Sequence, residues 1–250
     1  MSEFIRPHYQ NAPIAEALID IRVANPDAVT LQQLTGIADA LSSHFPNRLP
    51  MQQMQMGFQA DPNAGLGNFF NAQEQVGWRL AAKDQSRVLQ VQRIGFTYSH
   101  LPPYTDWDTF RNEARRYWIA FRNALGQSEV SRIAVRVINK IPTPNTEIAL
   151  TDYISIYPVV PETVPATVDA MFVQLQLALP NVLPDARAIM TVASGQADAN
   201  GPHLLLDIDL FVNRLIGSDE EIWSTLEKFG TEKDAIFEAC ITDKVRKAIQ

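Results

Sequence analysis

The sequence predicts an α+β fold in which a largely antiparallel sheet carries helices packed on one face. Three observations predict it. Segments with a two-residue apolar period outnumber those with a helical period. Several neighbouring strand segments are joined by hairpin-length loops, which antiparallel pairs accept and parallel pairs cannot. The strand segments alternate apolar with polar residues, as a sheet with one solvated face requires.

Each element follows from its residues. Ile19, Ile21 and Val23 alternate with Leu18, Asp20 and Arg22, so a half-buried strand is expected over Ala12–Ala24. Leu31, Leu34, Ile37, Leu41 and Phe45 recur at helical spacing, with Asp27 or Thr30 as N-cap and Pro46 and Pro50 as stops. Met51–Ala60 is compatible with a strand, and Asp61–Gln75, rich in Asn and Gly, reads as a loop. Val76, Trp78, Leu80 and Ala82 open a further strand. Beyond the turn at Lys83–Ser86 the apolar phase runs through Leu89 and Val91, then shifts to Ile94, Phe96 and Tyr98. A phase shift at Gly95 predicts a β-bulge.

Thr105–Leu125 is the clearest helix. Trp107, Phe110, Ala114, Tyr117, Trp118, Phe121 and Leu125 form one apolar stripe, Thr105 with Asp108 reads as a capping box, and Gly126 suits the C′ position. A strand over Arg132–Ile141 sets Ile133, Val135 and Val137 on one face. Met171–Leu179, Arg187–Ala193 and Leu204–Val212 then read as a three-stranded meander. Two helices close the chain, the first ended by Gly230 and the second capped by Thr231 with Asp234. The proline-rich stretch Pro142–Pro165 is the best candidate boundary, dividing 1–142 from 143–250 unless 1–250 is one domain.

Composition excludes several classes. Counting 28 acidic against 21 basic residues gives a net charge of −7, which argues against gripping nucleic acid or anionic lipid through the overall field. A single cysteine allows no intramolecular disulfide and points to a reducing compartment. The first residues show no signal-peptide pattern, and no window approaches the roughly 18 apolar residues of a membrane span. The expectation is a cytoplasmic chain without a membrane partner.

The candidate sites lie on strands. Asp207 and Asp209 are two apart, so their carboxylates project from one face with backbones ~7 Å apart. That spacing admits a divalent metal or, more simply, ion pairs to a neighbouring strand. Arg132, Arg136 and Lys140 share one face of their strand and suit an anionic ligand or those same aspartates. Asn139 falls on the opposite, apolar face, where an amide needs hydrogen-bond partners. Arg93 sits at the expected bulge, and Glu16, Asp20 and Arg22 cluster on the first strand. The 11 glycines leave little for a phosphate loop, and Gly65 with Gly67 lacks the third glycine of a dinucleotide motif. Cys240, among apolar neighbours, reads as a core residue.

Taken together, APIAEALIDIRV, GWRL, VLQVQRIGFTYSHLPPYTDWDTF, RIAVRVINKI, HLLLDID and AIFEACITDKVR span nearly the whole chain in order. They resemble a sporadically distributed family of bacterial and archaeal proteins of about 250 residues and unknown function. The resemblance implies one unit rather than a fusion, and an accessory role such as defence or toxin regulation. It supplies no activity, cofactor or catalytic residue.

The leading expectation is therefore a non-enzymatic, self-associating binding or regulatory protein, with its sheet and the aromatics of Tyr98–Trp118 forming the interaction surface. The alternative is an anionic-ligand or nucleotide site built from Arg93, Arg132, Arg136 and Asn139. A metal-dependent phosphoryl-transfer site at Asp207 and Asp209 ranks third. The cofactor, if any, is unknown from sequence.

Overall fold

The computed structural model describes residues 7, 9–59, 68–126, 129–144, 148–164, 168–199 and 201–250, with backbone alone at 55–59 and 68–72. Nine strands form one sheet: β1 (Ile14–Val23), β2 (Asn47–Gln59), β3 (Asn68–Ala81), β4 (Arg87–Gln92), β5 (Gly95–His100), β6 (Val130–Pro142), β7 (Phe172–Ala178), β8 (Arg187–Ser194) and β9 (His203–Ile216). Their order is β2-β3-β4-β5-β1-β6-β9-β8-β7, and every pairing is antiparallel. Four helices, α1 (Leu31–Ala40), α2 (Trp107–Leu125), α3 (Asp219–Cys240) and α4 (Asp243–Ile249), complete the α+β fold. Strands from 1–142 and from 143–250 meet in this sheet, because β6 pairs with β9 from Val130↔Ile216 to Pro142↔His203. No helix among the described residues is long and apolar enough to cross a membrane.

The core lies between the sheet and its helices. Ile19 and Ile21 of β1, Val135 of β6 and Leu206 and Ile208 of β9 are fully buried. α3 packs on β6 and β9, and α2 lays the predicted stripe against β5, with Trp107, Phe110, Ala114, Tyr117, Trp118 and Phe121 all buried. Phe96 meets Trp118 edge-on at 5.7 Å, and Tyr98 stacks on Phe110 at 5.6 Å. Each such side chain contributes roughly 1.5–3 kcal/mol by leaving water. The aromatics of Tyr98–Trp118, expected at an interaction surface, are thus mostly core. Trp118 also donates its indole N–H to Asp219 (3.0 Å), which ties α2 to the first turn of α3.

Of the two N-caps expected for α1, Thr30 serves, in a full capping box with Gln33. Several other local features differ from expectation. Pro50 falls inside β2, which tolerates it because an edge strand needs no donor on its outer side. The loop expected over Asp61–Gln75 is strand from Asn68 onward, because β2 and β3 pair, past one register shift between Met51 and Gln52, out to Gln59↔Asn68 and the backbone bonds do not depend on polar side chains. Gly65 and Gly67 lie outside the described residues. Asp106 rather than Thr105 caps α2, accepting from the Thr109 N–H at 2.8 Å.

The phase shift at Gly95 is a hairpin rather than a bulge. β4 and β5 pair from Arg87↔His100 to Gln92↔Gly95, so Arg93 and Ile94 are a two-residue turn. Gly95, at φ 150°, lies against β1, and a Cβ there would sit 2.2 Å from the Ile21 carbonyl oxygen.

The two closing helices expected around Gly230 are one. α3 runs unbroken through Gly230, and the Thr231 hydroxyl donates to the Glu227 carbonyl inside the helix instead of capping a new one. Gly230 is there for space, since a Cβ would meet the Trp107 indole at 2.2 Å. The real break comes later, where Ile241 bridges to Ile154 and α4 starts after Thr242. Cys240 is buried as expected, and burial pushes its thiol up to about 11.

These facts set two effects against each other at position 230. Helix propensity favours Gly230→Ala by about 1 kcal/mol, whereas overpacking against a rigid indole costs about 1–3 kcal/mol or more. The net expectation is a lower urea midpoint for Gly230→Ala, and a raised midpoint would contradict the packing role.

Candidate functional site

On the sheet face opposite the helices, alternation brings charged residues from three adjacent strands together. β1 supplies Asp20 and Arg22, β6 supplies Arg132 and Arg136, and β9 supplies Asp207 and Asp209. Arg132 donates to Asp20 at 2.8 Å and lies 3.5 Å from Asp209, with its guanidinium 4.9 Å from the centre of the Phe211 ring. Asp20 is the hub: it also accepts from Arg22 at 3.0 Å and from the Thr97 hydroxyl at 2.9 Å. Arg136 grips Asp207 with two bonds of 2.8 and 2.5 Å. Lys140, further along β6, reaches Asp198 at 2.8 Å.

Three guanidinium groups thus face three carboxylates, and the cluster closes on itself. Desolvation nevertheless governs Asp209: burial holds its pKa above the ordinary carboxylate value despite Arg132 and Arg136, with the Asp207 and Asp20 charges adding to the rise. Hydrogen bonding to Asp207 raises Arg136. To take a divalent cation, Asp207 would first have to release the bidentate guanidinium, a strong charge-assisted pair. Among the described residues no group of three or more His, Cys, Asp or Glu is arranged to hold a metal.

The remaining two candidate residues lie apart from this cluster. Arg93, in the β4–β5 turn, pairs with Glu74 of β3 at 2.8 Å. Asn139 lies on the helix-facing side, 2% exposed, with its amide nitrogen donating to the Leu206 carbonyl at 3.1 Å.

Asn139 opens instead onto a cavity of about 120 Å³ between β6, the loop before α2 and the second half of α3. Tyr9, Tyr104, Trp107 and Phe237 form its aromatic walls, and Lys233, only 5% exposed, lies at one side. Lys233 is ion-paired to Asp234, and its ammonium is 5.3 Å from the centre of the Trp107 ring. Tyr9 donates to Glu238 at 2.7 Å; burial first, then that bond, pushes its pKa up to about 12. Sequence reasoning pointed to Asn139 but missed Tyr9, Lys233 and Phe237. The signal for Lys233 was present: Phe229, Lys233 and Phe237 stand four apart, one helical face.

A second polar group is buried under α2. Glu113 accepts from the Tyr98 hydroxyl at 2.6 Å and from Arg87 at 3.0 Å, and these bonds outweigh burial to lower its pKa. Beside them His100 is 1% exposed, stacked on Phe110 and tilted against Tyr104, and its Nδ1 has no hydrogen-bond partner among the described residues. Burial lowers the His100 pKa and the Arg87 charge adds to this, against weaker opposing pulls from Glu113, Asp84 and Asp106.

No family model, curated protein or solved structure matches the chain.

Two predictions follow from the charge geometry. Asp20→Asn removes the main partner of Arg132 and is expected to cost about 1–3 kcal/mol in chemical denaturation. Asp209→Asn, which relieves a desolvated charge, is expected to stay within about 1 kcal/mol of the parent; equal losses in the two variants would contradict the hub role of Asp20. For His100, the folded-state pKa lies below the unfolded value of about 6.5, so the unfolded chain binds the extra proton. Stability from this site is complete above that value and falls as pH drops toward the folded-state pKa, by at most about 1.4 kcal/mol per pH unit. His100→Phe is expected to flatten the melting temperature between pH 6.5 and 5 relative to the parent. Parallel curves would refute the assignment.

Proposed function

We propose that the protein works as a non-enzymatic binding or regulatory protein that self-associates, pairing two copies through the outer edge of β7. The observation that carries this reading is the edge itself. β7, FVQLQLA, ends the sheet, pairs among the described residues with β8 alone and contains neither charge nor proline. Edge strands usually carry such residues to block sheet extension. Phe172 is 70% exposed, and Leu175 and Leu177 are also exposed.

A second copy suits this edge better than an arbitrary partner. Two β7 strands related by a two-fold axis run antiparallel and set Phe172 opposite Ala178 around a central Leu175, an isologous arrangement. A chain at −7 repels its own copies through most surfaces. The uncharged β7 edge is a place where that repulsion is least.

Size-exclusion chromatography with light scattering tests the reading. The parent is expected at twice the 28.0 kDa chain mass at micromolar concentration. Leu175→Lys should shift it to the monomer while changing stability by no more than about 0.5 kcal/mol, as a surface substitution does. A parent that stays monomeric throughout the micromolar range contradicts the proposal.

A further inference from the structure

The cavity beside Asn139 carries an inference independent of self-association. Its floor is the helix-facing side of the sheet, where Val137 and Ile208 are apolar as the pattern demands. At Asn139 the same pattern calls for another aliphatic residue, and β6 places a buried amide there instead. A buried amide left short of partners costs about 1–3 kcal/mol. One of its N–H groups is used on the Leu206 carbonyl. No further hydrogen bond to this amide is made among the described residues, and Asn139 lines the cavity, so a donor and an acceptor side by side are left for a ligand.

The charges around the cavity select the kind of ligand. Lys233 is matched by Asp234. Glu238 is matched by Arg246 at 2.9 Å and also accepts from Tyr9. Asp106 spends both oxygens on Thr109 at the N-terminus of α2. Each ionic group named thus has a hydrogen-bonding or ionic partner within the chain, and a charged ligand would have to displace one of them or lie in the cavity without a salt-bridge partner. An uncharged ligand meets no such cost. The aromatic walls favour a flat, polarisable body, and about 120 Å³ suits a small ring system rather than a drug-sized molecule.

We infer that this cavity is a binding site for an uncharged planar heterocycle with adjacent hydrogen-bond donor and acceptor, read by the Asn139 amide and clasped by Tyr9, Tyr104 and Phe237. The amide pairs edge to edge with the ring, as asparagine pairs with an adenine edge. The rings of the wall cover its faces.

Isothermal titration of the full chain with nicotinamide, adenine, nicotinate and 3-(aminomethyl)pyridine tests this. At least one of the two uncharged probes is expected to bind about tenfold more tightly than either charged one. Asn139→Leu should weaken that binding about tenfold, the order expected for losing a paired edge. Phe237→Leu, on a half-exposed wall, should weaken it too and decides the matter if Asn139→Leu does not fold. The site is overturned if neither uncharged probe binds at millimolar concentration, if a charged probe binds as tightly, or if the folded variants leave the affinity unchanged.

Discussion

The structure depends on β6 being hydrogen-bonded along both edges, to β1 on one side and β9 on the other. With a side-chain period of two, that double registration fixes which residues of three strands face the helices and which face away. Ile133, Val135 and Val137 go to the core, where α3 packs on β6, while Arg132 and Arg136 go to the open face. A slip of one residue would place two guanidinium groups under the helices and expose the aliphatic row. Neither half tolerates that exchange, so the core and the ionic cluster enforce the same register.

The ionic cluster is consequently better understood as part of the fold than as a receptive surface. Arg132 and Asp20 are each 16% exposed, and removing either leaves the other short of its partner in a poorly solvated place. Arg136, at 42%, is closer to solvent and its pair weighs less in stability than its two-bond geometry suggests. The other face behaves differently. There Leu175 and Leu177 of β7 are exposed among the described residues, and near the middle of the sheet an amide lines an aromatic cavity. These two features exceed what packing needs, and they are where the functional proposals rest.

Much of the fold was legible in the residues. The alternation in β1, β6 and β9 and the aromatic stripe of α2 declare themselves because burial on one face and solvent on the other leave a periodic record. The two-residue spacing of Asp207 and Asp209 puts both carboxylates on one face, and the basic face of β6 offers them cross-strand partners. What escaped depends on distant neighbours. Gly230 looks like a helix stop until Trp107 is known to lie against it, and reading it as a stop also cut the face that joins Phe229, Lys233 and Phe237. The β4–β5 turn lacks the Asn-Gly or Asp-Gly pair that usually marks a two-residue hairpin, so its phase change resembled a bulge. Arg93 and Asn139 seemed to belong with the other cations and polar groups because sequence gives a face within one strand but not which strands adjoin.

If β6 anchors both faces, it is among the last elements of the molecule to open. Native-state hydrogen exchange measures opening strand by strand, since central elements exchange through global unfolding and edges through local opening. The amides of Ile133–Val137 paired to β1 and β9 are expected to exchange with the full unfolding free energy, and those of β7 several kcal/mol more easily. Protection in β6 equal to or below that in β7 would contradict the account.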